Sequence, residues 1–173
     1  RFNTTLVSFN FYLPLAEKDV SVNALLPYVL TSCSQKYKTF TELNIDFDAI
    51  YTGYLGSFRQ LGLVSELIDR HKTDSTMIVI DPCMADHGKM YTVFDMKFAK
   101  AMTSLCAKAD IILPNITEAC FMVDEEVIEG VQTKEYIERL LNKLLDMGTK
   151  NVILTGVSFE EAKLGAACMG QNR

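Results

Sequence analysis

Apolar residues along the chain follow two alternating rhythms, short unbroken runs and stripes spaced three and four residues apart. The run "FDAIYTGYL" reads as a strand closed by glycine. "SFRQLGLVSELIDRHK" follows as a helix, with Ser57 and Gln60 at capping-box spacing and Leu61, Val64, Leu67 and Ile68 on one face. "TMIVIDP" is a continuous β-branched run, as expected of a strand covered on both faces. "FDMKFAKAMTSLCAKA" predicts a helix with Phe94, Phe98, Met102 and Leu105 inward.

The alternation continues with the strand "DIILPN" and a short helix, "ITEACFMV", started by Asn115. "TKEYIERLLNKLLDMG" carries the clearest helical stripe: Tyr136, Ile137, Leu140, Leu141, Leu144 and Leu145, with Gly148 as its stop. "NVILTG" predicts a fourth strand and "AKLGAACMG" a fifth. Strands separated by helices argue for an α/β fold: a mostly parallel central sheet, right-handed crossovers and helices on both sides, a three-layer α-β-α arrangement. The first 46 residues are less regular. Phe9, Phe11 and Leu13 alternate as a strand does, and "VNALLPYVLTSCSQKYKTFTEL" has helical periodicity interrupted by Pro27.

Composition narrows the function. With 49% hydrophobic and 23% charged residues, the chain can bury a core, and 173 residues suit a single domain. A net charge of −5 with scattered lysines offers nucleic acid no footprint, so a small-molecule or protein partner is expected. No apolar run approaches a membrane span. Five cysteines without a C-x-x-C pair point to a reduced, cytoplasmic setting, and two histidines exclude a histidine-rich metal site.

Candidate chemistry gathers where the predicted strands end, the place where open parallel sheets bind ligands. Tyr51 to Tyr54, Asp81, Asp86, Asn115, Glu118, Thr155, Gly156 and Ser158 all fall there. Carboxylates with backbone N–H groups suit a nucleotide phosphate tail and a divalent cation. No Walker loop is present, so other loops would hold the phosphates. Each residue also has a structural reading. Asp81 before Pro82 can start a turn, and Asn115 with Glu118 can simply cap a helix. An amide could keep that cap, so Glu118→Gln is expected to impair turnover far more than folding.

The motifs "DAIYTGYLGS", "DPCMADHGKMY", "ADIILPNITEA" and "VILTGVSFEEAKLG" together resemble the pyridoxal kinases of the ribokinase-like superfamily, nearest the bacterial pyridoxal/pyridoxamine kinase branch. The resemblance covers roughly residues 45–165, and "DPCMADHGKMY" is its most specific part. It implies transfer of the ATP γ-phosphate to the 5′-hydroxymethyl of pyridoxal, pyridoxine or pyridoxamine, with Mg²⁺, in a homodimer. By the same resemblance Tyr54 would pack against the vitamer ring, and Tyr91 and Asp86 would lie on the loop over nucleotide and substrate. Asp81 would face the metal and phosphates, Asn115 and Glu118 would organise Mg²⁺, and Thr155 and Gly156 would contact ATP. A monovalent cation is also implied, although Leu113 stands where a threonine is common and offers it no side-chain oxygen.

The family's G-T-G-D segment, which supplies the catalytic base, has no counterpart here. The expectation is an incomplete ribokinase-like domain over residues 1–173, with the base beyond Arg173 and no turnover by the chain as it stands. Rival readings are a hydroxymethylpyrimidine or other small-molecule kinase of the same superfamily, a non-catalytic nucleotide- or vitamin-binding module, and a receiver-like domain phosphorylated on Asp81. The last fails for want of a lysine ending "NVILTG".

Overall fold

The computed structural model of the chain describes residues 47–171. Among the described residues, seven strands and four helices run in the order β1 (Ala49–Thr52), α1 (Phe58–His71), β2 (Met77–Ile80), β3 (Ala85–Asp86), β4 (Lys89–Met90), α2 (Met96–Cys106), β5 (Ile111–Ile112), α3 (Ile116–Val123), α4 (Lys134–Asp146), β6 (Asn151–Val157) and β7 (Gly165–Gly170). The main sheet has the order β1-β2-β5-β6-β7. Its first four strands are parallel, as expected, and β7 is antiparallel to β6. The segment joining β6 to β7, residues 158–164, is too short for a crossover, so the chain turns straight back. The two expected elements among the first 46 residues lie outside the described residues.

Helix starts follow local chemistry. Ser57, Asp95, Asn115 and Thr133 each take a backbone N–H of the first turn on their side-chain oxygens. The reciprocal half of the box at α1 is displaced by one residue: the Gln60 carbonyl takes the N–H of Gly56 rather than of Ser57. At the end of α4, Gly148 adopts φ +114, a conformation that suits glycine. The six inward residues expected of α4 are all buried, each contributing roughly 1.5–3 kcal/mol if fully removed from water.

The strand order advances in one direction from β1 to β6. Right-handed crossovers between strands so ordered put every connecting helix on the same face. That face carries Ile78, Ile80, Ile112, Val152 and Leu154, all fully buried against the helices. The opposite face carries Tyr51, Met77, Val79, Ile111 and Ile153, none of which belongs to that core cluster. Among the described residues, then, the helices form one layer, and β2 is sealed on one side only, with Met77 half exposed.

Candidate functional site

All four parallel strands end at the same edge of the sheet. From β2 the chain leaves through Asp81 and Pro82 and folds into a feature the periodicity did not predict, the β3–β4 ribbon. His87 and Gly88 turn it, with φ of +47 and +68. Positive φ at both central residues is the two-residue hairpin turn that matches strand twist. The signal was the tetrapeptide "DHGK", with its glycine.

The start of α3 holds that ribbon in place. Glu118, 3% exposed, accepts backbone N–H groups from three residues: Met84 at 3.0 Å and Ala85 at 3.4 Å on Oε1, and Asn115 at 2.9 Å on Oε2. Asn115 returns a bond from Nδ2 to the Ala85 carbonyl at 2.8 Å, and Thr117 Oγ1 accepts the Gly88 N–H at 3.0 Å. Asn115 and Glu118 do form a capping box. The same Glu118 carboxylate also secures the loop from β2, so helix start and loop make one unit.

Asp81 stands on this side too. Tyr51 donates its hydroxyl to Asp81 Oδ2 at 3.4 Å. Burial raises the Asp81 carboxyl above the usual carboxylate range, with the Tyr51 hydroxyl opposing. Burial likewise pushes Glu118 up to about 7, against the three N–H groups that favour its charged form, and the Asp81 charge adds to the rise. Neither acid has a lysine, arginine or histidine partner among the ion pairs of the described residues. Two partly or wholly buried carboxylates without a counter-cation, one of them raised further by the charge of the other, suit a divalent ion, which Asp81 would hold directly and Glu118 through water because its oxygens already accept N–H bonds. Among the described residues, no group of three or more His, Cys, Asp or Glu side chains is arranged as an all-protein metal cage.

Cys83 is close enough to both acids to feel their charges. Burial raises its thiol, and the charges of Glu118 and Asp81 raise it further. A thiol so held is a poor nucleophile. His87 is exposed and, among the described residues, pairs with Asp86 at 3.6 Å.

A groove of about 930 Å³ opens beside the ribbon. Of the residues singled out in the sequence, Asp86, Asn115, Gly156 and Ser158 line it. Thr155 sits at its edge, bridged to Asn115 across the sheet, with its N–H at 2.9 Å and its hydroxyl at 3.3 Å from the Pro114 carbonyl. Gly156 adopts φ +76 and leaves open space where a side chain would stand. Asp81 and Glu118 are outside this lining. So are Tyr54 and Tyr91, which flank Phe94 at ring distances of 5.6 and 6.5 Å. Phe94 stacks on Phe98 at 4.1 Å. The candidate residues thus fall into a polar groove, an acidic corner and an aromatic shelf.

Sequence reasoning missed the far wall of the groove. Val127, Ile128, Glu129, Gly130, Val131 and Gln132, between α3 and α4, form it. Nothing in that stretch matches a motif, and only its position opposite the end of β6 makes it part of the groove. Among the described residues no helix is long and apolar enough to cross a membrane, and Cys83, Cys106, Cys120 and Cys168 are unpaired.

Known proteins share this sequence pattern and fold. The family model described as phosphomethylpyrimidine kinase matches residues 18–170. A Schizosaccharomyces pombe protein named as a pyridoxal kinase is 27% identical over 73% of this chain and 36% of its own. A Bacteroides thetaiotaomicron protein named as a phosphomethylpyrimidine kinase, crystallised with pyridoxal, superposes with a TM-score of 0.73. It is 35% identical, over 88% of this chain and 51% of that one. Pyridoxal kinase from Lactobacillus plantarum gives a TM-score of 0.68 at 26% identity, over 88% of this chain and 50% of that one. The chain therefore spans about half the length of these solved relatives, and little more than a third of the curated one.

Proposed function

The chain belongs to the phosphomethylpyrimidine kinase family, of ribokinase-like fold, and from that premise we propose that it carries the nucleotide and metal half of a pyridoxal kinase. The reaction is transfer of the ATP γ-phosphate to the 5′-hydroxymethyl of a B6 vitamer. The observation that supports it most is the joint placement of Asp81 and Glu118, residues 37 positions apart, on one side of the strand ends, with no cationic partner in the ion pairs of the described residues. Phosphoryl transfer asks mainly for positioning and charge neutralisation, which this corner and the adjoining groove can supply.

Asp81 and Glu118 would hold Mg²⁺, which when bound neutralises phosphate charge. The chain's own groups do the remaining work. Asn115 fixes the ribbon through Ala85, so that Asp86 faces the groove. Gly156 would offer the phosphates a backbone N–H where the β6 strand ends, and Thr155 a hydroxyl once it turns from the Pro114 carbonyl. Tyr54 and Tyr91, on the Phe94 shelf, would flank the vitamer ring. The base that takes the hydroxyl proton, the homodimer and any monovalent cation belong to the same reading, carried by the resemblance alone.

The family description favours a second reading, a hydroxymethylpyrimidine kinase. Assaying the complete protein with ATP and either pyridoxal or hydroxymethylpyrimidine separates the two. Faster phosphorylation of pyridoxal supports the first. Preference for the pyrimidine supports the second, and phosphorylation of neither, with ATP still bound, leaves a binding module.

A further inference from the structure

From Asp124 to Thr133 the chain has no helix or strand, yet this stretch walls the groove. Two buried side chains shape it. Near its start, the Tyr136 hydroxyl donates to the Glu126 carbonyl at 2.8 Å and accepts the Ile128 N–H at 3.3 Å. Near its end, Gln132 is 5% exposed and uses both ends of its amide. Its Nε2 donates to the carbonyls of Ile128 at 3.0 Å and Gly130 at 2.7 Å. Its Oε1 accepts the Ser158 N–H at 2.7 Å, and its backbone N–H donates to the Ser158 carbonyl at 2.7 Å.

Ile128 and Gly130 stand on one wall of the groove, and Ser158, two residues past Gly156, stands on the other. One planar amide therefore spans the gap, curling the first wall and tying it to the end of β6. Side-chain amides alone combine two donors with an acceptor on one neutral plane. From this arrangement we infer that Gln132 is a positioning residue: it sets the separation of the groove walls and through that the affinity for the nucleotide. The inference rests on the reading that the groove takes ATP. A purely structural anchor would show itself in folding instead. Tyr136 already secures the start of the segment, so loss of the Gln132 bonds frees the wall without releasing the whole loop.

Two variants of the complete protein test this. Gln132→Glu keeps an oxygen for Ser158 but sets carboxylate oxygen against the Ile128 and Gly130 carbonyls. Gln132→Met keeps the length and removes every side-chain bond. Steady-state kinetics with ATP and with pyridoxal are measured alongside melting temperature. Both variants are expected to raise KM for ATP by about tenfold, the order of one or two lost buried hydrogen bonds. The kcat and the KM for pyridoxal stay within about twofold under the same rule. An unchanged KM for ATP with a lowered melting temperature overturns the inference and leaves the nucleotide reading intact. So does an equal rise in KM for both substrates. If the unsubstituted protein shows no saturable ATP binding by calorimetry, the nucleotide reading itself fails and the inference goes with it.

Discussion

Glu118 Oε1 accepts the Met84 N–H at 3.0 Å across 34 residues of sequence, joining the first turn of α3 to the loop that leaves β2. Because Ala85 and Asn115 also donate to this carboxylate, it meets backbone donors on both oxygens. That changes what Glu118→Gln should do. An amide can serve the cap, but its NH2 must then face at least one of the N–H groups that the carboxylate accepted. A buried donor left unmet costs about 1–3 kcal/mol. The expected result is a loss of stability of that size together with weaker Mg²⁺-dependent binding of ATP. Urea unfolding and calorimetry with and without Mg²⁺ measure the two separately, and an unchanged unfolding midpoint would contradict the dual role.

Tyr54 is partly exposed and leans on Phe94 at 5.6 Å with the rings tilted by 45°. If this shelf takes the vitamer ring, Tyr54→Ala removes one aromatic contact, worth about 0.5–1.5 kcal/mol beyond burial. KM for pyridoxal then rises roughly two- to tenfold, while KM for ATP stays level. Tyr54→Phe keeps the ring and should stay near the original value. Equal KM changes for both substrates would place the shelf outside the vitamer site.

Much of this arrangement is legible in the residues themselves. The α4 stripe from Tyr136 to Leu145 is buried position by position, because a helix of that period has only one face to hide. Asn115 begins α3 because its short side chain reaches the Glu118 N–H at 2.9 Å. Other features depend on information that periodicity lacks. The helices' shared face follows from strand order, which no single strand encodes. The antiparallel return of β7 was recoverable from the short 158–164 connection. The Gln132 bridge was not, since a glutamine in a loop carries no sign of a partner 26 residues away.

Gly156 interrupts β6 with φ +76, and the bulge between Thr155 and Val157 follows from it. A side chain there would meet nothing within 4 Å, so Gly156→Ala carries a backbone cost without a clash. That cost is about 1–2 kcal/mol. The substitution should lower the melting temperature modestly and, on the proposal that the Gly156 N–H serves the phosphates, raise KM for ATP. Comparison with Gly53→Ala, where a side chain also meets open space and no positive φ is involved, isolates the conformational effect.

Asp110 offers a pH test far from the candidate site. Its Oδ2 accepts the Ile78 N–H at 2.8 Å, and its Oδ1 lies 2.7 Å from the Lys150 ammonium and 3.9 Å from that of Lys72. Burial alone would raise this carboxyl, but Lys150, the Ile78 N–H and Lys72 outweigh it and hold it below the usual carboxylate range. A depressed folded pKa means the unfolded chain binds the proton more readily. The Asp110 contribution is therefore full above its unfolded value, near pH 4, and is lost as pH falls through the lower folded value. Asp110→Asn can keep the Ile78 bond and loses the charge. Melting curves from pH 7 down to about 2 should show the variant less stable at neutral pH and the gap to the unsubstituted protein closing on acidification. A gap that stays constant across that range would mean the Lys150 and Lys72 contacts contribute nothing to folding.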